Sequence, residues 1–294
     1  MGASPSSTSL YKAEFFDGHR DGNRRSAAIA VPVLVELFQP RSVVDVGCGT
    51  GTWLSVFREH GVTDILGVDG PWVEERQREI PDVFFREYDL TQPVALERTF
   101  DLALCLEVAE HLPAEAGPAL IGSLTALAPV VVFSAAIPGQ GGEGHINERW
   151  PSFWSRYFAA HGYVCFTGLR QRLWPSDAVE FWYRQNILCF VAEARPDLID
   201  RASRGDEGST AGPLDVVHPQ LYLRVSSDLE WRSRDVERLE REVQKTRAEL
   251  RAIENSRAWR LYQSIRPMVV SARRVSSRFR IGARNKAERS DGSD

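Results

Sequence analysis

The sequence predicts an α/β fold, a doubly wound sheet of seven strands with helices on both faces. Three observations predict it. Short apolar runs alternate with helical stretches over most of the chain, the pattern of successive strand–helix units. The first run, Val43–Val46, passes straight into glycines at alternate positions, Gly47, Gly49 and Gly51. That is a buried parallel strand ending in a tight turn that opens a helix. The run Ile65–Gly70 then ends in an acid, Asp69, 18 residues beyond Gly51. A carboxylate at the tip of the second strand is placed to hydrogen-bond the two hydroxyls of a ribose. The first half of the chain is therefore expected to bind an adenosine-containing cofactor.

The elements follow in order. Residues 1–10 are Ser-rich and expected to be disordered. Residues 11–195 form the main domain, beginning with leading helices over Tyr11–Phe38 in which Phe15 and Phe16 are candidate lid residues. Strands are expected at 43–46, 65–69, 83–87, 101–106, 130–136, 163–168 and 186–192, with helices over Thr52–Glu59, Ala114–Ala126 and Pro151–His161 between them. Ligands of such sheets lie at the carboxyl ends of the strands, where the topology switches. Residues 196–227 read as a linker, rich in Gly, Ser, Asp and Pro from Asp200 to Pro219. From 228 to 255 a heptad pattern places Leu229, Val236, Val243 and Leu250 on one seam position and Leu239 and Ile253 on the other, interrupted by Arg232 and Thr246. That suits a weak coiled coil, a homodimer included, or a solvated single helix. Residues 256–294 form a basic tail.

The charge separates these parts. The whole chain of 294 residues carries −4, but from Ser256 onward ten Lys/Arg face three Asp/Glu, a net +7. The other 255 residues hold 26 basic and 37 acidic groups, or −11. In the tail, basic residues are interleaved with Trp259, Leu261, Tyr262 and Ile265, which fits peripheral contact with an anionic membrane better than nucleic-acid binding. The longest apolar stretch, Leu124–Ile137, is 14 residues with Pro129 inside it, too short to span a bilayer. No secretory leader pattern opens the chain, and the four cysteines lack metal-ligand or CxxC spacing, so a cytoplasmic location, with membrane association through the tail, is the expectation.

The glycine turn decides the cofactor. A dinucleotide fingerprint would put glycine at 52, where this chain has Thr52. Asp45–Gly51 instead reads D-x-G-x-G-x-G, which resembles motif I of the class I S-adenosylmethionine-dependent methyltransferases. Tyr88-Asp89-Leu90 resembles the adenine-contacting segment of that family, and Phe100–Leu112 its fourth-strand motif. The resemblance implies a Rossmann-like methyltransferase sheet whose seventh strand inserts antiparallel beside the fifth. It also implies a site in which Asp45, Gly47, Cys48, Gly49 and Gly51 hold the methionine end, Asp69 the ribose, and Asp89 and Leu90 the adenine, framed by Glu107.

Two segments can act on the acceptor. One is Glu107-x-x-Glu110-His111; the other is the glycine-rich loop Gly139–Trp150, carrying Glu143, His145 and Glu148. A hydroxyl acceptor needs a base or a metal to offset its high pKa. Similar segments in ubiquinone-pathway and small-RNA 2′-O-methyltransferases bind a divalent metal, which implies Glu107, Glu110, His111 and His145 as a ligand set for magnesium or manganese. In many other class I members the acids only frame the cofactor and the His packs at a helix start. His145 and His111 are then candidate catalytic residues, or His145 a structural one. The loop GHINERWPSFW resembles bacterial methyltransferases acting on sugars or secondary metabolites, and Asn255–Pro267 a segment of cell-surface-polysaccharide enzymes. Trp150 and Trp174, with Arg184 and Gln185, are candidate pocket residues, whereas Trp182 reads as core in a strand-like run. The reading is an O-methyltransferase for a sugar-containing or secondary metabolite. An RNA 2′-hydroxyl methyltransferase and a silent scaffold in glycan assembly are the alternatives, the first weakened by the acidic body.

Overall fold

The computed structural model describes residues 13–73, 77–204 and 213–266, the side chains from Arg20 onward. The expected lid residues Phe15 and Phe16, and the tail beyond 266, lie outside the described side chains. Two compact units are present, Met1–Val225 and Ser226–Asp294.

In the first unit, α1 (Ala13–Phe38) leads into β1 (Ser42–Val46), α2 (Thr52–Glu59), β2 (Asp64–Asp69), β3 (Phe85–Glu87) and β4 (Leu102–Leu106). Then come α3 (Gly117–Leu127), β5 (Val130–Ser134), α4 (Pro151–Ala160), β6 (Tyr163–Phe166), α5 (Gly168–Leu173), α6 (Phe181–Asn186), β7 (Leu188–Ala192) and α7 (Pro196–Ser203). Helix α8 (Pro219–Asn255) begins in the first unit and continues into the second. The seven strands form one sheet in the order β3-β2-β1-β4-β5-β7-β6, with β7 antiparallel to both β5 and β6. The antiparallel seventh strand is the one expected.

The central strands are apolar at nearly every position because both faces are covered. Val43, Leu102, Leu104, Val130 and Val132 pack with α1 and α2 on one face. Val44, Val46, Ala103, Cys105, Val131 and Phe133 pack with α3 and α4 on the other. Strand order reverses between β1 and β4, so the loops after those two strands diverge and leave a crevice at their carboxyl ends.

Local corrections follow from the packing. Helix α1 is one continuous helix, not several. The third strand is only Phe85–Glu87, since Asp82–Phe84 close a 3₁₀ turn. Trp182 sits on α6, not on a strand: Phe181–Asn186 is helical and the strand begins at Leu188. Apolar side chains in FWYRQNILCF serve a short helix as well as a strand, and only the run Leu188–Ala192 reaches the sheet register. The span read as a linker contains α7, whose Leu198 and Ala202 join the core beside α1, and the first turns of α8.

In the second unit, α8 presents Leu229, Val236, Leu239, Val243, Leu250 and Ile253 exposed, with Trp231 more so. No helix among the described residues is long and apolar enough to cross a membrane.

Candidate functional site

The glycine turn after β1 is built by main-chain geometry. Gly47, Gly49 and Gly51 all have positive φ (84°, 53° and 80°), the left-handed region that side-chain-bearing residues avoid. Asp69, at the end of β2, ties this turn down: its Oδ2 accepts the Gly49 N–H at 2.6 Å and its Oδ1 the Gly70 N–H at 2.7 Å. Both acids are buried. Burial, then the charge of Asp69, raises the Asp45 carboxyl to about 7. Burial also raises Asp69, against the bonds from Gly49, Gly70 and Trp72 that lower it. The buried Cys48 has its thiol held far up by burial, so it packs as a neutral side chain.

Beyond β2 and β3 lies a cleft of about 390 Å³ lined by Pro71, Trp72, Glu87, Tyr88, Asp89 and Thr91. Asp89 Oδ1 accepts from the Thr91 N–H (3.0 Å) and hydroxyl (2.7 Å), while Leu90 is buried beneath. Glu79 braces the glycine turn, its N–H donating to the Thr50 carbonyl at 2.7 Å. It accepts the Thr52 hydroxyl at 2.8 Å and pairs with Arg20 and Arg24 of α1, a clamp that no motif announced.

Across the crevice, after β4, Glu107 adopts φ 55°, uncommon for a non-glycine residue. Its N–H donates to the Ser134 main chain at 3.0 Å. Its carboxylate accepts from Asn186 Nδ2 at 3.1 and 3.2 Å and from Gln140 Nε2 at 3.2 Å. Asn186, Gln140 and Gln185 form a buried amide network around it. Burial raises Glu107 above the usual carboxylate range, opposed by those amide donors.

The next turn, Ala109–His111, carries the second acid. Glu110 is fully buried; Oε1 accepts the Ala136 N–H at 3.2 Å, and the carboxyl bonds that of Glu107. Burial, then the charge of Glu107, lifts Glu110 well above its ordinary range. The loop after β5 is sewn onto this turn. Ile146 and Asn147 donate their N–H groups to the Glu110 carbonyl (2.8 and 3.0 Å), and Asn147 Nδ2 donates to the Ala109 carbonyl. This brings the His145 ring to 4.9 Å from that of His111, edge to face. Glu110, His111 and His145 thereby offer donor atoms all within 4.8 Å of one another. Burial, then His145, lowers His111 to about 4, which keeps an imidazole lone pair available at neutral pH.

The expected four-residue ligand set is thus divided. Three residues converge, and Glu107 is instead held by Asn186 and Gln140. The other pocket expectations divide as well. Trp150 is partly exposed where α4 begins, whereas Trp174 packs against His218, ring centroids 4.8 Å apart and planes tilted by 57°. Arg184 is spent on Asp177 and Gln220, and Gln185 on Gln140, Asn186 and the His218 N–H. Both are therefore mostly committed to the wall, with only Arg184 Nε lacking a hydrogen-bond partner. Asn186 and Gln140 went unnoticed in the sequence because amides carry no motif. The one signal was a polar residue at the mouth of the apolar run Ile187–Val191.

A family model described as a methyltransferase domain matches residues 19–171. No curated protein sequence matches the chain. Among solved structures, the sugar N-methyltransferase KedS8 from Streptoalloteichus is 18% identical, with TM-score 0.48, over 65% of this chain and 95% of its own. DesVI of Streptomyces venezuelae is 16% identical, with TM-score 0.46, over 65% of this chain and all of its own. Magnesium protoporphyrin IX methyltransferase from Synechocystis, crystallised with S-adenosylmethionine, is 17% identical, with TM-score 0.46, over 65% and 100%.

Proposed function

We propose that this chain, which belongs to the methyltransferase-domain family and uses S-adenosylmethionine, methylates a hydroxyl of a sugar-containing small molecule at the Glu110–His111–His145 cluster. The cofactor supplies an electrophilic methyl carbon for in-line displacement. The residues of the first loop suit it: Asp45 offers a buried negative charge to a cationic methionine end, the glycine turn allows close main-chain approach, and Asp69 faces the ribose. Asp89 and Leu90, at the cleft beyond β3, are assigned to the adenine side.

The observation that carries the acceptor half is the convergence of the fully buried Glu110 carboxyl with two imidazoles. One carboxylate and two imidazoles fit a divalent transition ion, manganese better than magnesium, whose preference is for an all-oxygen shell. Glu110, His111 and His145 would hold it, and the ion would lower the pKa of an acceptor hydroxyl. Glu107 contributes indirectly, its charge bearing on Glu110. A second reading, in which His145 is a metal-free general base, is favoured by its bond to Glu148. The sugar assignment rests on the resemblance carried by Gly144–Trp154 and on the partly exposed Trp150 beside that loop. A homodimer through α8 and peripheral membrane contact through the tail belong to the same reading.

Manganese titration followed by electron paramagnetic resonance tests the metal. Wild type should bind one ion, Glu110→Gln should bind about 10- to 100-fold more weakly, and chelation should abolish formation of S-adenosylhomocysteine with sugar acceptors. Turnover that survives chelation but falls roughly 10²–10⁴-fold in His145→Ala would favour the base reading instead.

A further inference from the structure

We infer that Glu148 is a positioning residue for His145: it fixes the tautomer and the ring angle so that Nε2 keeps its lone pair for the acceptor cluster. The inference rests on the reading of His145 as an acceptor-site group, and it holds whether that site works with a metal or with a bare base. Four observations carry it. Glu148 Oε1 accepts from His145 Nδ1 at 3.0 Å, in a partly buried pair. The same carboxylate accepts the Gly141 N–H (2.8 Å, Oε1) and the Gly139 N–H (2.8 Å, Oε2). Gly139 and Gly141 both have positive φ, 82° and 67°, so the loop is wound around one side chain by residues that can turn that way. Opposite, a Cβ at Gly142 would stand 2.4 Å from His145 Nε2, so only glycine leaves that edge of the ring clear.

The chemistry follows from the imidazole's two nitrogens. A carboxylate accepting from one nitrogen places the proton there and leaves the other as base or ligand. His145 is packed edge to face against His111, so the ring is bounded by Glu148, Gly142 and His111. Two loop residues, Glu148 and Gly142, with His111 from the turn after β4, therefore set the direction of one lone pair.

The competing possibility is that Glu148 only staples the loop through Gly139 and Gly141. Nitrogen-15 NMR of the full chain with labelled histidine separates the two, because it reads the tautomer without substrate, cofactor or metal. Wild type should show His145 protonated at Nδ1. Glu148→Gln should shift the population toward the Nε2–H form, and Gly142→Ala, which keeps every Glu148 bond, should displace the ring and move the Nε2 resonance. Both variants should weaken manganese binding roughly tenfold or more, measured by paramagnetic resonance. A wild-type Nε2–H tautomer, or a tautomer unchanged in Glu148→Gln, overturns the inference. If wild type binds no manganese while the tautomer responds as stated, the metal fails and the positioning role stands.

Discussion

The two sides of the crevice are built by different means. On the β1–β3 side the ligand surface is mostly main chain: three glycines at positive φ, tied to Asp69 through the Gly49 N–H. On the β4–β5 side it is side chains gathered from three separated segments, Glu107–His111, Gly139–Glu148 and Arg184–Asn186. Main-chain turns serve a cofactor common to many enzymes, whereas side chains drawn from loops serve what differs between them. Substitutions on the first side should accordingly act on cofactor affinity, and those on the second on the acceptor step.

The largest expected effect on the cofactor side is at Asp69. Its carboxylate holds Gly49 and Gly70 and is assigned to the ribose in the proposed function, so Asp69→Ala removes those bonds and, on that reading, the ribose contact. S-adenosylmethionine affinity should fall by about 2–4 kcal/mol, measured by calorimetric titration. Binding at wild-type strength would mean that the turn is held without Asp69, and the contrast between the two sides would break there.

A smaller, pH-dependent effect belongs to Asp45. Its carboxyl in the empty protein is raised to about 7 by burial and by Asp69. A raised carboxylate stabilises the fold less as pH climbs from its ordinary value toward 7, because the native state must then give up a proton it favours. Cofactor charge reverses that preference. Affinity for S-adenosylmethionine should therefore rise with pH and level off above 7, with roughly a fivefold gain from pH 6 to 7. Asp45→Asn should abolish the slope and raise the melting temperature of the empty protein at pH 7.5. A slope that survives in the variant would move the titration to another group.

The same division explains what was legible in the sequence. Asp45–Gly51 and Asp69 could be read because strand, turn and acid are adjacent or regularly spaced, and the turn's geometry is local. Glu110 and His111 are neighbours on one turn, and His145 was named only through a family resemblance. What joins them is the bonding of Ile146 and Asn147 to the Glu110 carbonyl, a tertiary contact with no local signature. Glu107 was grouped with its neighbours in sequence, and at φ 55° its carboxylate is also held by two amides distant in sequence, Gln140 in the loop after β5 and Asn186 at the end of α6. Trp182 shows the converse: six residues suit a helix or a strand equally until the register of Leu188–Ala192 against β5 decides.

The smallest effect lies in the second unit, where side chains touch little. Leu239 is 48% exposed, and its seam partners Val236 and Val243 are similarly open. Flanking ion pairs such as Arg234 with Glu230 and Arg241 with Glu237 lie on the exposed helix surface and add little to stability. Leu239→Glu should therefore shift thermal unfolding of the single chain by no more than about 0.5 kcal/mol, the scale of a surface change. S-adenosylmethionine affinity should not move at all, since the residues proposed for the cofactor all lie between Asp45 and Glu107. Association is the one property that should respond. A heptad seam buried between two copies would place two carboxylates in an apolar contact, which costs far more than the exposed substitution does. Sedimentation velocity at increasing concentration should then show a dimer weakened by the substitution. An unchanged association constant would place any self-association elsewhere and leave α8 a solvated single helix.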